Sequence, residues 1–82
     1  MTGDMRETMG ILLIKASEAT RASESASASE LARHISMLSE GLRKLTDETE
    51  RMGVLMEDAR TLIENVGTII DRLQIQLARR VR

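Results

Sequence analysis

Residues 31–45 read LARHISMLSEGLRKL, and their apolar positions form the strongest pattern in the chain. Leucine and isoleucine recur in alternating steps of four and three residues, which places them on one face of an α-helix. The same steps continue without interruption to Leu77. A pattern this regular is typical of a coiled coil or of a helix within a bundle. It predicts one long amphipathic helix over about residues 30–79.

The apolar face of this long helix is a predicted oligomerisation seam. Its members are the large apolar residues at positions a and d of the heptad: Leu31, Ile35, Leu38, Leu42, Leu45, Met52, Met56, Ile63, Val66, Ile70, Leu73 and Leu77. The neighbouring e positions hold small residues, a possible close-packing row formed by Ala32, Ser39, Gly53 and Gly67. Because small residues let a second backbone approach closely, the pattern favours a bundle of three or four helices over an isolated two-stranded coil.

The middle of the seam is weaker than its ends. Thr49 and Ala59 bracket Met52 and Met56, so a hydroxyl, two flexible thioethers and one small side chain occupy successive positions. This central segment, residues 49–59, has three open interpretations. It is a bending point, a docking region for a partner, or ordinary variation along a continuous rod.

A shorter helix is predicted over residues 4–22. Asp4 and Glu7 form a capping-box pattern, in which an N-cap acceptor is followed three residues later by a carboxylate. The residues that then share one helix face are Met5, Met9, Leu12, Ala16 and Ala19. Ile11, Leu13 and Ile14 extend this face around most of the circumference. A helix that is apolar nearly all round is usually buried among several others.

The segment between the two patterns, residues 23–29, reads SESASAS and forms a Ser/Ala joint. The apolar phases on its two sides differ by one residue, and Ser27 with Glu30 forms a second capping-box pattern. Serine disfavours helix interiors, whereas the alanines favour them. The joint is therefore either a turn or a weak part of one continuous helix. A turn would fold the first helix back beside Ala32 and Ser39, and two such hairpins would make a four-helix bundle.

The composition limits both the architecture and the function. A chain of 82 residues without Phe, Tyr or Trp has few large side chains with which to build a core, so assembly with another chain is expected. The absence of proline and of alternating β-branched residues indicates an all-α fold in a single domain, residues 1–82. The net charge of −1 does not favour nucleic acid, and there is no cysteine for disulfides or thiol chemistry.

Candidate catalytic residues are missing from the sequence. His34 is the single histidine, with only Glu30 close by on the same helix face, so neither a metal site nor a cofactor is predicted. No serine, histidine and acid set, glycine-rich phosphate loop or pair of convergent carboxylates can be assigned, which predicts a protein that is not an enzyme. The basic tail at residues 80–82, preceded by Arg79, suits the negative end of a helix dipole.

These observations predict a non-enzymatic oligomerisation or adaptor module. Its predicted partners are further copies of itself and a larger protein, with no small-molecule substrate and no membrane span. The alternative is a coiled-coil signal-relay segment of a sensor or receptor system, with the central segment as its bistable element. A cytoplasmic location is the default expectation for a chain without an apolar run of membrane-spanning length.

Overall fold

The chain folds into three α-helices in the computed structural model, which describes residues 2–53 and 57–81, with side chains from Arg6 onward. Helix α1 covers Thr2–Ala22, α2 covers Ala28–Met52 and α3 covers Glu57–Arg80. Each helix contacts the other two. The bundle measures 43 × 16 × 16 Å, so the helices lie side by side along its length. The all-α prediction is confirmed, and no strand occurs within the described ranges.

The Ser/Ala joint contains a turn rather than a continuous helix. Helix α1 ends at Ala22, the Ser25 N–H donates to the Ala22 carbonyl oxygen at 3.2 Å, and α2 begins at Ala28. Ser27 is the N-cap of α2, with extended backbone angles of φ −73° and ψ 169°. Its hydroxyl accepts from the Glu30 N–H at 3.2 Å, while the Ser27 N–H donates to Glu30 Oε1 at 2.8 Å. The second capping box predicted from the sequence is therefore confirmed.

The prediction of one long helix over residues 30–79 is wrong. Helix α2 ends at Met52, followed by Gly53 in the left-handed conformation with φ 69° and ψ 15°. The Gly53 N–H donates to the Glu50 carbonyl oxygen at 3.1 Å, which closes the last turn. Helix α3 then begins at Glu57. Glycine adopts this conformation without the steric cost that a Cβ imposes, so the chain turns here and α3 packs back against α2.

The core lies along the axis of the bundle and draws on all three helices. Its buried apolar side chains are Leu12, Ala16 and Ala19 of α1, Ala26 of the joint, Leu31, Leu38 and Leu45 of α2, and Ala59, Val66, Ile70 and Leu73 of α3. Each fully buried leucine contributes roughly 1.5–3 kcal/mol relative to leaving it exposed. Helix α1 contributes mainly alanines, so it packs close to its neighbours without filling much volume.

A polar residue at an a position of the heptad is also buried. Thr49 is 5% exposed, and its hydroxyl donates to the Thr46 carbonyl oxygen at 2.8 Å, within the same helix. The hydrogen-bonding requirement of this buried hydroxyl is thereby met locally, so it needs no partner on another helix. Thr49 lies in the last turn of α2, three residues before the helix ends.

Candidate interaction surface

The predicted oligomerisation seam forms the inside of this three-helix bundle. Its fully or nearly buried members are Leu31, Leu38, Leu45, Val66, Ile70 and Leu73, and its partly buried members are Ile35, Leu42, Ile63 and Leu77. Met52 is exposed at the end of α2, and Met56 lies outside the described residues. The seam therefore packs α2 against α3 and α1 of the same chain.

The possible close-packing row is not brought against another backbone within the chain. Ala32 and Ser39 are exposed, and Gly53 serves as the helix cap described above. A Cβ added to Gly67 would meet no atom within 4 Å. The close approach occurs instead at Gly41, where an added Cβ would lie 2.9 Å from Leu12 Cδ1. Helix α1 thus lies over Gly41 and not beside Ala32 and Ser39.

Helix α1 has one buried arc and one exposed apolar face. The buried arc contains Leu12, Ala16 and Ala19, which follow the steps of four and three expected for one side of a helix. On the remaining circumference, Ile11 is 49% exposed, Leu13 is 56% exposed and Ile14 is 60% exposed. At 100° per residue, Ile14 points almost directly away from Leu12 and the core. These three residues are hereafter called the outer face of α1.

Two grooves run along the sides of α1 and continue its outer face. Ile11 lines a groove of about 570 Å³ between α1 and α2, together with Met37 of α2. Leu13 lines a groove of about 390 Å³ between α1 and α3, together with Leu62 and Ile69 of α3. The apolar surface therefore extends from the outer face into the grooves on both sides. Contiguous exposed apolar patches of this kind mark interaction sites more often than single exposed residues do.

The groove between α1 and α2 also has charged walls. Lys15 projects from α1, and Lys44, Asp47 and Arg51 line the opposite side on α2. Glu48 lines it as well, with its Oε1 buried and without a hydrogen-bond partner among the described residues. Charges of both signs around an apolar strip suit the polar rim of a protein interface.

His34 is half-buried on α2, and no group of three His, Cys, Asp or Glu that could hold a metal ion occurs in the part of the chain that is described. None of the three helices, over their described residues, is both long and apolar enough to cross a membrane.

The basic tail has a role that sequence reasoning missed. Arg80 Nη2 donates to the carbonyl oxygens of Ser23 at 2.9 Å and Glu24 at 3.0 Å, in the turn that follows α1. The sequence indicates only that arginines suit the end of their own helix. The interaction with a turn more than fifty residues away depends on the up-down-up order of the helices, which no local pattern encodes.

Comparison with known proteins provides no relative for this chain. No protein-family model matches it, and no match was found among characterised proteins or among solved structures.

Proposed function

We propose that this protein is a non-enzymatic interaction module that self-associates through the outer face of α1 and, as an adaptor, binds a larger protein. One observation carries the proposal: Ile11, Leu13 and Ile14 remain exposed on a bundle whose core closes without them. Exposing three neighbouring large aliphatic side chains forgoes the free energy that their burial would provide. A partner surface that covers them would recover it.

The form of assembly differs from a coiled coil or four-helix bundle built on the seam. The leucines of that seam are already buried within one chain, so they are not available to a second chain while the bundle is closed. Assembly through α1 leaves the three-helix core intact. A seam-based assembly would require α2 and α3 to separate first and then exchange between chains, which is a domain swap.

The remaining parts of the proposal follow from composition and surface. Apolar residues with a mixed-charge rim fit a protein partner better than a small-molecule substrate or nucleic acid, since the net charge is only −1. No cofactor is proposed. A cytoplasmic site of action stays a prediction from the sequence.

The test is a comparison of two isoleucine variants in sedimentation equilibrium. Ile14→Glu places a charge on the outer face of α1, while Ile75→Glu does the same on α3, where the isoleucine is 56% exposed. We expect the wild type and Ile75→Glu to associate as concentration rises, and Ile14→Glu to remain a monomer. A wild-type protein that stays monomeric from micromolar to millimolar concentration would contradict self-association, and equal behaviour of both variants would contradict the role of α1.

A second candidate function, signal relay, is favoured by the continuity of the heptad across the α2–α3 turn. The a and d positions keep their register from Leu45 through Ala59 although the helix is interrupted between them. The same sequence could therefore also form one continuous helix, and an exchange between the two forms would change the length of the molecule.

Spin labels at Ser39 and Asp71 distinguish the two forms. Ser39 lies 14 residues before Gly53 on α2, and Asp71 lies 14 residues after Glu57 on α3. In the closed bundle, which is 16 Å across, the two residues are therefore at similar positions along the long axis. In a continuous helix they would be about 48 Å apart at ~1.5 Å per residue. A second, long distance whose population responds to a bound partner would support relay. A single short distance under all conditions would contradict it.

A further inference from the structure

The outer surface of α1 carries opposite charges at equal distances from its most exposed isoleucine. Glu7, Ile14 and Arg21 are spaced seven residues apart, so they form one stripe along the helix. All three are exposed in the bundle. Each charged residue lies about 10 Å along the helix axis from Ile14, because the rise is ~1.5 Å per residue.

We infer that the occupant of this stripe is α1 of a second copy of the chain, packed antiparallel about a two-fold axis at Ile14. This inference rests on the proposed function and specifies its interface. In an antiparallel pair centred on Ile14, Glu7 of each chain lies opposite Arg21 of the other. The stripe is thus complementary to itself, as the interface of a symmetric dimer must be. A parallel pair would place Glu7 against Glu7 and Arg21 against Arg21.

The residues between the charges permit close contact of the two helices. Gly10 is exposed, and an added Cβ there would meet no atom within 4 Å, so a second helix can approach its backbone. In the antiparallel register, Ile11 of one chain lies opposite Ser17 of the other, so a large side chain faces a small one. Ile11, about 60° around the helix from Ile14, then covers one side of the central contact between the Ile14 side chains.

The size of the surface sets the expected affinity. Helix α1 has 21 residues, which corresponds to about 31 Å of length at ~1.5 Å per residue. One helix of this length, with the borders of its two grooves, offers less than the ~800 Å² per partner of a standard interface. We therefore expect a reversible dimer with a dissociation constant in the micromolar range.

The register is tested by charge reversal with mixed variants. Glu7→Arg alone places Arg opposite Arg21 at both ends of the dimer, and Arg21→Glu alone places Glu opposite Glu7. Each variant should dimerise about tenfold more weakly than the wild type, because attractive pairs become repulsive ones. An equimolar mixture of the two variants restores both pairs in a heterodimer. We expect the mixture, measured by sedimentation with one variant fluorescently labelled, to associate nearly as tightly as the wild type.

The matched control reverses two exposed charges on α3, away from the outer face of α1. Arg60→Glu and Asp71→Arg each reverse one charge, and neither residue belongs to the stripe. Their mixture should show no preference for the heterodimer. Circular dichroism of every variant checks that α1 remains folded. A small loss of stability in a variant does not affect the conclusion, because the same variant is measured alone and in the mixture.

Each result decides the inference. Recovery in the Glu7→Arg and Arg21→Glu mixture, together with no recovery in the control mixture, supports it. In a second outcome, Ile14→Glu dissociates the wild-type dimer but the two charge-reversed variants do not associate on mixing. This outcome overturns the antiparallel register and leaves the proposed interaction role of α1 standing. A wild type that is monomeric at all concentrations overturns both the inference and self-association.

Discussion

The guanidinium of Arg80, in the last turn of α3, is hydrogen-bonded to the backbone of Ser23, in the turn that ends α1. Arg80 Nη2 lies 2.9 Å from the Ser23 carbonyl oxygen and 3.0 Å from that of Glu24. Its Nη1 also donates to the Gln76 carbonyl oxygen of its own helix, at 3.4 Å. Carbonyl groups at the C-terminal end of a helix have no partner in the next turn, so a cation there satisfies them. One side chain thus links the end of α3 to the end of α1.

Replacing Arg80 should therefore destabilise the bundle although the residue is exposed. We expect Arg80→Ala to reduce the free energy of unfolding by about 1 kcal/mol, since the hydrogen bonds are charge-assisted but partly open to solvent. For a domain of this size, that corresponds to a fall in Tm of roughly 4–8 °C. Urea unfolding followed by circular dichroism measures the change. Arg79→Ala is the matched control, and an equal effect of the two substitutions would show that the interaction with Ser23 contributes nothing.

Two glycines within helices should respond differently to alanine. At Gly67 an added Cβ meets no atom within 4 Å, so Gly67→Ala should stabilise the bundle by roughly 0.5–1 kcal/mol through the gain in helix propensity. At Gly41 the new Cβ would lie 2.9 Å from Leu12 Cδ1, and Leu12 is fully buried. Overpacking of this kind costs roughly 1–3 kcal/mol, so Gly41→Ala should be neutral or destabilising by up to ~2 kcal/mol.

The contact between Gly41 and Leu12 can be isolated by a double-mutant cycle. Shortening Leu12 removes the atom with which the new Cβ collides. In a Leu12→Ala background, Gly41→Ala should therefore become stabilising, as Gly67→Ala is in the wild type. If Gly41→Ala has the same effect in both backgrounds, α1 does not lie over Gly41 as the structure has it.

The turn between α2 and α3 depends on the conformation of Gly53. A residue with a Cβ pays roughly 1–2 kcal/mol in the left-handed region. We expect Gly53→Ala to lower the free energy of unfolding by about that amount, and Gly53→Asn to lower it less, because asparagine tolerates this conformation better. Since Gly53→Ala also favours continuation of the helix, it should increase the fraction of domain-swapped dimer seen by size-exclusion chromatography. If Gly53→Ala were as stable as Gly67→Ala, the left-handed conformation of Gly53 would not be needed to end α2.

Local features of this fold are encoded within a few residues and could be predicted. The capping box joins Ser27 to Glu30, three positions away, and helix propensity is a property of single residues. The heptad spacing from Leu31 to Leu77 likewise identifies correctly which side of each helix is apolar. It does not distinguish a straight rod from a hairpin, because both bury the same a and d positions.

A signal for the break was nevertheless present in the central segment. Gly53 is followed four and five residues later by Glu57 and Asp58, and this combination is typical of a helix end followed by an acidic first turn. The exposure of Ile11, Leu13 and Ile14 had no such signal. A helix at the side of a three-helix bundle has only one arc facing its neighbours, so the extent of burial around α1 depends on how many helices surround it. That number is a property of the complete fold.

The capping box at the start of α2 should make stability depend on pH in a defined direction. The Ser27 N–H donates to the Glu30 carboxylate at 2.8 Å, and this hydrogen bond is the main cause that holds the pKa of Glu30 below its ordinary value of 4.5. Because the folded-state pKa is lower than the unfolded one, the stabilisation is complete above the unfolded-state pKa. It is lost as the pH falls through the folded-state pKa.

We expect Glu30→Gln to be slightly less stable than the wild type at neutral pH and equally stable in strong acid, so that the difference between the two proteins disappears once the pH has fallen below the folded-state pKa of Glu30. Ser27→Ala removes the hydroxyl acceptor of the cap and should cost about 1 kcal/mol at neutral pH, whereas Ser25→Ala, in the preceding turn, should change stability by less than about 0.5 kcal/mol. Thermal unfolding of the three variants and the wild type from neutral to acidic pH provides the measurement. A constant difference between Glu30→Gln and the wild type over this range would mean that ionisation of Glu30 does not contribute to the cap.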